Sequence, residues 1–413
     1  MIPSLLLLWI PIFGPQAEPQ ETPSDETSQE TKGDSKYSLL GLPAEIVRFI
    51  RLPGGGRHPR SVMDDDGLLH VVFFRMSEGE LSSNEIGDVF YTCSPDEGVT
   101  FTEPVRLNAQ SGGVSLGRGA NGPSIGIAGG VVHVLMAGSE HARPRGPAGE
   151  SPLLYVRRPV GSEEFEPQRN LIDSAWGMGT GVAVAADEEG GVHCFWTAPS
   201  SANVERQGVW YVRSTDGGKT FAGAKVINAS DNGVSMKSAI DAKMGSNGRI
   251  VATYRSKVSK RRDSRLLISS DRGDSFADST KTYTARKKDP ASGTSISPGA
   301  TKKFLLLSWE ENGEVAWSYL LPREDSVSLP MVPKLRQKRI QRNPAVATNR
   351  SIAGALVWME KIRGAEDETF RIAYQVWDIT GRRPIGRGLA PGTSAGSTPS
   401  IFVRSDDGFG VLY

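Results

Sequence analysis

Along this chain one alternation keeps returning. A short strand-like stretch leads into a polar turn ending in glycine, and a strongly apolar stretch follows, often finishing in Trp or Phe. It reads HPRSVMDDDGLLHVVFF at 58–74, GPSIGIAGGVVHVLMAG at 122–138 and GVAVAADEEGGVHCFWTA at 181–198. It continues as SAIDAKMGSNGRIVATYR at 238–255, TSISPGATKKFLLLSWEE at 294–311, NPAVATNRSIAGALVWME at 343–360 and TPSIFVRSDDGFGVLY at 398–413. Apolar runs of this length bounded by turn residues predict antiparallel hairpins. The copies lie roughly 48–63 residues apart, a period that marks a repeat architecture.

A second motif sits between the hairpins: SPDEGVTF at 94–101, STDGGKTF at 214–221 and SSDRGDSF at 269–276, each Ser-x-Asp-x-Gly-x-x-Phe. The aspartates Asp96, Asp216 and Asp271 can accept backbone N–H groups across a tight turn. Gly98, Gly218 and Gly273 supply a positive φ, and Phe101, Phe221 and Phe276 fold back onto the apolar side. A decayed copy, LLYVRRPVGSEEF at 153–165, keeps the preceding strand and the Phe and loses the Asp. Outer strands such as VRLNA (105–109) and KVINA (225–229) follow the turns. Four antiparallel strands per repeat, arranged radially, predict an all-β fold, a β-propeller of four-stranded blades. Seven blades are expected, with EIVRFIRL (45–52) joining the final hairpin as a composite closure that leaves no exposed edge; six blades is the alternative.

Composition narrows the function. The chain has 413 residues, 48 Lys and Arg against 47 Asp and Glu, and a net charge of +1. That balance excludes electrostatic capture of nucleic acid as the main business. No apolar stretch approaches the 18–20 residues of a membrane-spanning helix, so no transmembrane segment is expected in the mature protein. The 47 Gly and 26 Pro suit many short strands. Five His and two Cys leave little for a zinc site, and no cofactor or metal is expected. His70, His133 and His193 occupy the same repeat position, which implies a shared packing role rather than convergence on one ion. Asp64 to Asp66 read as a hairpin turn. Cys93 and Cys194 fall in the first and third blades with one blade between them, too far for a disulfide, and read as buried thiols.

At the amino terminus, Leu5 to Phe13 followed by Ala17 reads as an export signal over 1–17. Residues 18–36 contain no Val, Ile, Leu, Met or aromatic residue and read as a disordered polar tether. The propeller is expected over 37–413, placed outside the cytoplasm.

The aspartate turns, with hairpins spaced around them, resemble the Asp boxes of the sialidase superfamily, and the resemblance covers roughly residues 45–413. It implies a propeller whose enzymes cleave terminal sialic acids: an arginine triad binds the sugar carboxylate, an Asp is acid/base, and a Tyr activated by Glu is the nucleophile, an exception to the two-carboxylate plan. It also implies that the aspartate turns lie away from the central site. The first arginine matches Arg57, in Arg57-His58-Pro59, and the second matches Arg255. Planar guanidinium groups suit bidentate capture of a carboxylate. The rest departs from the pattern. The stretch 304–320 carries no third arginine, and the expected glutamate falls near Ser238 and Ala239, with Asp241 close by. The acid/base region FRMSEGELSSNE (74–85) offers Glu78, Glu80 and Glu85, with Glu80 the candidate acid. Tyr254 and Tyr319 stand nearest to the nucleophile's place, Tyr254 being the candidate. Glu310 and Glu360 follow inner apolar strands and are further carboxylates for the site. A glycan or glycoconjugate is the expected partner, either for exo-glycosidase chemistry of the sialidase type or for binding alone, and a protein partner on the propeller face is the remaining possibility.

Overall fold

All seven predicted hairpins form. The computed structural model describes residues 45–413 apart from 78–84, 117–121, 160, 174–176, 180, 200–206, 230–232, 236–237, 246–247, 258–263, 279–293, 299–304, 312, 321–330, 334–338, 350–352, 363–368, 379–383 and 392–397. The export signal, the tether, Glu78 and Glu80 lie outside the described residues. Seven sheets stand in a ring. Their inner strands are Arg57–Met63, Ser124–Ala128, Val182–Ala186, Asp241–Met244, Thr294–Pro298, Arg339–Thr348 and Ser400–Val403. Each inner strand touches the next, and the last returns to the first, so they line a closed central channel.

Within each blade the chain runs outward strand by strand. Among the described residues the fifth blade has three strands, and so does the closing blade. There Val47–Ile50 pairs with Phe409–Leu412, Val47 opposite Phe409 and Ile50 opposite Leu412. The expectation of a composite closure holds, but the added strand is parallel, unlike the antiparallel strands of the other blades. The reason is the short link Pro53 to Gly56: Val47–Ile50 must end where the first inner strand begins, which is also where second strands end.

Apolar residues concentrate between neighbouring blades rather than in one central core. Val72, Phe74 and Tyr91 of the first blade meet Val132, Val134 and Met136 of the second; Leu306, Val315 and Trp317 of the fifth meet Val346, Leu356 and Trp377 of the sixth. Trp317 and Trp377 stack with ring centroids 3.9 Å apart.

The aspartate turns build a second blade-to-blade contact. In the first copy Asp96 accepts Thr100 N at 2.7 Å and Thr100 Oγ1 at 2.6 Å, while Ser94 Oγ accepts Gly98 N at 2.7 Å. The same bonds recur at Asp216 with Thr220 and Ser214, and at Asp271 with Ser275 and Ser269. Gly218 and Gly273 have φ of 76° and 92°, and each lies against a tyrosine hydroxyl of the preceding blade, Tyr155 and Tyr211, where a Cβ would overlap it. Those hydroxyls in turn stand 2.7 Å from His133 Nδ1 and His193 Nδ1, and Tyr91 stands 2.7 Å from His70 Nδ1. The turn phenylalanine packs edge-on against the same tyrosine: Phe221 on Tyr155, Phe276 on Tyr211 and, from the decayed copy, Phe165 on Tyr91. The histidines therefore share a packing role across blade interfaces. His70 Nε2 also lies 3.0 Å from Asp64, whose other oxygen accepts Leu68 N, so the aspartate run is a turn tied to its histidine. Burial pushes the His133 imidazole down to about 4, keeping it neutral.

Both cysteines are free. Cys194 is buried, but Cys93 is only half-buried, beside Thr102 Oγ1 at 3.6 Å. Its strand is the third in its blade, with only the short outer strands Val105–Arg106 and Val114–Leu116 beyond it.

Gly273→Ala is expected to cost about 2–4 kcal/mol through overlap with Tyr211 and a strained φ, and Tyr211→Phe about 1–3 kcal/mol by leaving His193 Nδ1 unpaired, both read from denaturant midpoints. Hydrogen bonds from Thr100 and Ser275 hold the Asp96 and Asp271 carboxyls down at about 2, below the ordinary 3.8. Their stabilisation is complete above about pH 4 and lost as pH falls through about 2, so the melting temperature should drop across that window, less steeply in Asp271→Asn.

Candidate functional site

Register decides which residues share an end of the channel. Arg57 opens its inner strand opposite Phe74 near the end of the second strand, and Arg339 stands opposite Ile362 in the same way. Starts of inner strands and ends of second strands thus form one mouth. The aspartate turns follow the ends of third strands and lie at the other end, as the resemblance implied. Arg57, Arg255, Glu310, Arg342 and Glu360 all belong to the mouth.

On one side stands Arg57, half-buried, with Nη1 3.2 Å from Met76 Sδ. His58 follows at φ 52° within a bulge between Arg57 and Arg60. Its Nδ1 lies 3.2 Å from Thr398 Oγ1 and its Nε2 3.9 Å from Glu85 Oε2. Burial, reinforced by Arg60 and Arg57, pushes the His58 imidazole down to about 4, so it is neutral. Burial also lowers the Arg60 guanidinium, an effect that Asp241 opposes. Asp241 accepts Ala242 N at 3.0 Å and Ile296 N at 2.8 Å, tying the fourth blade to the fifth.

A second group is built by blades four, five and six. Arg255, 6% exposed, ends its second strand with its N–H on Ser238 Oγ at 2.8 Å. Ser238, where the family's glutamate would fall, is thus a buried support for the arginine. Glu310, 2% exposed, is the penultimate residue of the second strand of the fifth blade, Leu305–Glu311. Burial pushes its carboxyl up to about 7, against the pull of Arg342, the Asn343 N–H and Arg255. Its Oε2 has no hydrogen-bond partner among the described residues. Arg342 is exposed, its guanidinium 5.4 Å over the Phe370 ring.

Arg342 is the residue that the sequence reading missed. It repeats the first arginine's backbone: Arg342-Asn343-Pro344 matches Arg57-His58-Pro59, with Asn343 at φ 50° and a bulge between Arg342 and Ala345. A second Arg-x-Pro at the head of an inner strand was the available signal.

The two candidate tyrosines lie elsewhere. Tyr254 is fully buried and donates to both Asp278 oxygens at 3.0 and 2.8 Å, pointing into the core between blades three and four. Tyr319 pairs with Leu306 at the far end of its blade and packs on Trp317. Neither reaches the mouth, because alternation along a strand sends these side chains between the blades. Glu360 is consumed by its own blade, accepting Arg339 Nη1 at 2.5 Å and Trp358 Nε1 at 2.8 Å. Among the described residues no cluster of three His, Cys, Asp or Glu is placed to hold a metal.

No family model matches the chain, and no curated protein is similar to it in sequence. Solved structures are similar in shape. A protein of unknown function from Dyadobacter fermentans superposes with a TM-score of 0.55 at 13% identity, over 81% of this chain and 97% of that one. A Hadza microbial sialidase gives 0.51 at 13% identity over 74% of this chain and 65% of its own. The Trypanosoma rangeli sialidase in complex with the inhibitor DANA gives 0.51 at 13% identity, over 77% and 54%. The chain therefore spans about two thirds and about half of these two sialidases, and its fold is similar to theirs, a sialidase-like β-propeller that here has seven blades.

Proposed function

We propose that the chain is an exported exo-glycosidase of the sialidase type, taking the acidic terminal sugar of a glycan at the arginine mouth of its channel. The observation that carries this reading is the gathering of Arg57, Arg255 and Arg342 at one end of the ring, two of them on matching bulges, with Glu310 among them. Guanidinium groups in a partly buried setting bind a carboxylate through charge-assisted, bidentate hydrogen bonds. The proton donor to the leaving oxygen comes from the Glu78–Glu85 segment, of which Glu80 is the candidate and Glu85 stands beside His58. The export reading rests on the apolar run and Ala17 of the amino terminus.

The test is turnover of a fluorogenic α-sialoside. Arg57→Ala and Arg255→Ala are each expected to lower kcat/KM by about 10–100-fold, the worth of a hydrogen bond to a charged group. Binding of sialic acid without turnover would replace the hydrolase with a glycan-binding propeller. Absence of both from folded protein would sink the reading.

A further inference from the structure

Glu310 is the one described carboxyl that is buried among the mouth arginines without being consumed by a full set of partners. Arg342, the Asn343 N–H and Arg255 act on it electrostatically, and its Oε2 makes no hydrogen bond among the described residues. Glu360, equally buried in the next blade, shows the contrast, since both its oxygens are bonded. An ionised Glu310 interacts with the guanidinium groups that an acidic ligand would need. Two carboxylates brought to one cationic pocket in a low-dielectric setting cannot both stay ionised, and one proton is shared between them.

We propose that Glu310 is an internal competitor for Arg255 and Arg342, so that an acidic sugar enters only as Glu310 takes up a proton. This rests on the reading of the mouth as an acidic-sugar site and adds what controls its occupancy. The proton comes from solvent, no covalent bond changes, and Oε2, which has no hydrogen-bond partner among the described residues, is the oxygen available to carry it.

The surroundings make Glu310 the group that titrates. Blade four contributes Arg255, and blade six contributes Arg342 together with the Arg339–Glu360 pair, 2.5 Å apart and self-neutralising, with Arg387 3.9 Å from Glu360. The inner strand of its own blade, Thr294–Pro298, carries no charged residue. The third strand contributes Glu314, which is exposed. Asp241, further round the channel, is held by two backbone N–H groups and faces Arg60. The carboxyl, pushed up to about 7, is protonated below that pH and ionised above it. Affinity for an acidic sugar is therefore level below about pH 7 and falls about tenfold per pH unit above it.

The experiment is calorimetric titration of the chain with N-acetylneuraminic acid between pH 5.5 and 9, in two buffers of different ionisation enthalpy, with its methyl ester as the uncharged probe. The wild type should lose about tenfold per unit above pH 7 and take up close to one proton at pH 8. Glu310→Gln should bind with no such slope, and Arg342→Ala should bind weakly throughout. The same slope in wild type and Glu310→Gln, or binding without proton uptake, would overturn the competitor role while leaving the acidic-sugar site standing. If neither probe binds at any pH, the acidic-sugar reading falls and the competitor falls with it. Should Glu310→Gln fail to fold, proton uptake by the wild type decides alone.

Discussion

Closure of the ring is the contact on which everything else depends. Val47–Ile50, from one end of the described chain, lies along Phe409–Leu412 from the other, and Leu52 N and Tyr413 N extend the pairing to Tyr413 O and Ile50 O. Without it two sheet edges would stand open, and the cluster of Ile50, Leu52, Val71, Phe73, Phe402 and Leu412 would be split. The first blade would also lose its neighbour, and with it the bond between His58 and Thr398 that supports the mouth beside Arg57. A parallel strand in an otherwise antiparallel ring follows from the few residues between Ile50 and the start of the first inner strand.

The ring is held in two ways. Between blades one and four, a turn residue of one blade wedges against a His–Tyr pair of the blade before it, and the steric demand is strict enough that glycine is required at Gly218 and Gly273. Further round, the equivalent strands carry no such pair, and bulky aromatic packing, Trp317 on Trp377, takes its place. Directional hydrogen bonds give way to apolar area, with the same geometric outcome. The decayed copy at 153–165 shows the exchange in progress: its aspartate is gone, the phenylalanine still packs on Tyr91, and the Arg157–Glu166 ion pair at 2.6 Å now braces the hairpin.

At the mouth the physics is electrostatic. Arg57, Arg255 and Arg342 share one channel end with Glu310, Asp241 lies further round the channel opposite Arg60, and the two acids are treated differently. Asp241 is fixed by backbone N–H groups, whereas Glu310 is desolvated with one oxygen unsatisfied. A cationic site that carries its own removable anion discriminates by charge and by pH together. His58, neutral through burial between two arginines, adds no charge of its own.

What the sequence determined by itself was whatever depends on local spacing. The turn at Ser94-x-Asp96-x-Gly98 is closed by bonds reaching two and four residues, and alternation within each hairpin is set residue by residue, so repeats, blades and closure were legible. Arg57 and Arg255 were legible because each sits at a fixed place in its repeat. What only the tertiary structure decided was which side chains meet across blades. Glu310 comes within electrostatic reach of Arg342 and Arg255, which belong to the two neighbouring blades, and strand pleat sends the Tyr254 hydroxyl to Asp278 in the core rather than to the mouth. Sequence spacing carries no record of those meetings, because the angle between blades, and not the distance along the chain, sets them.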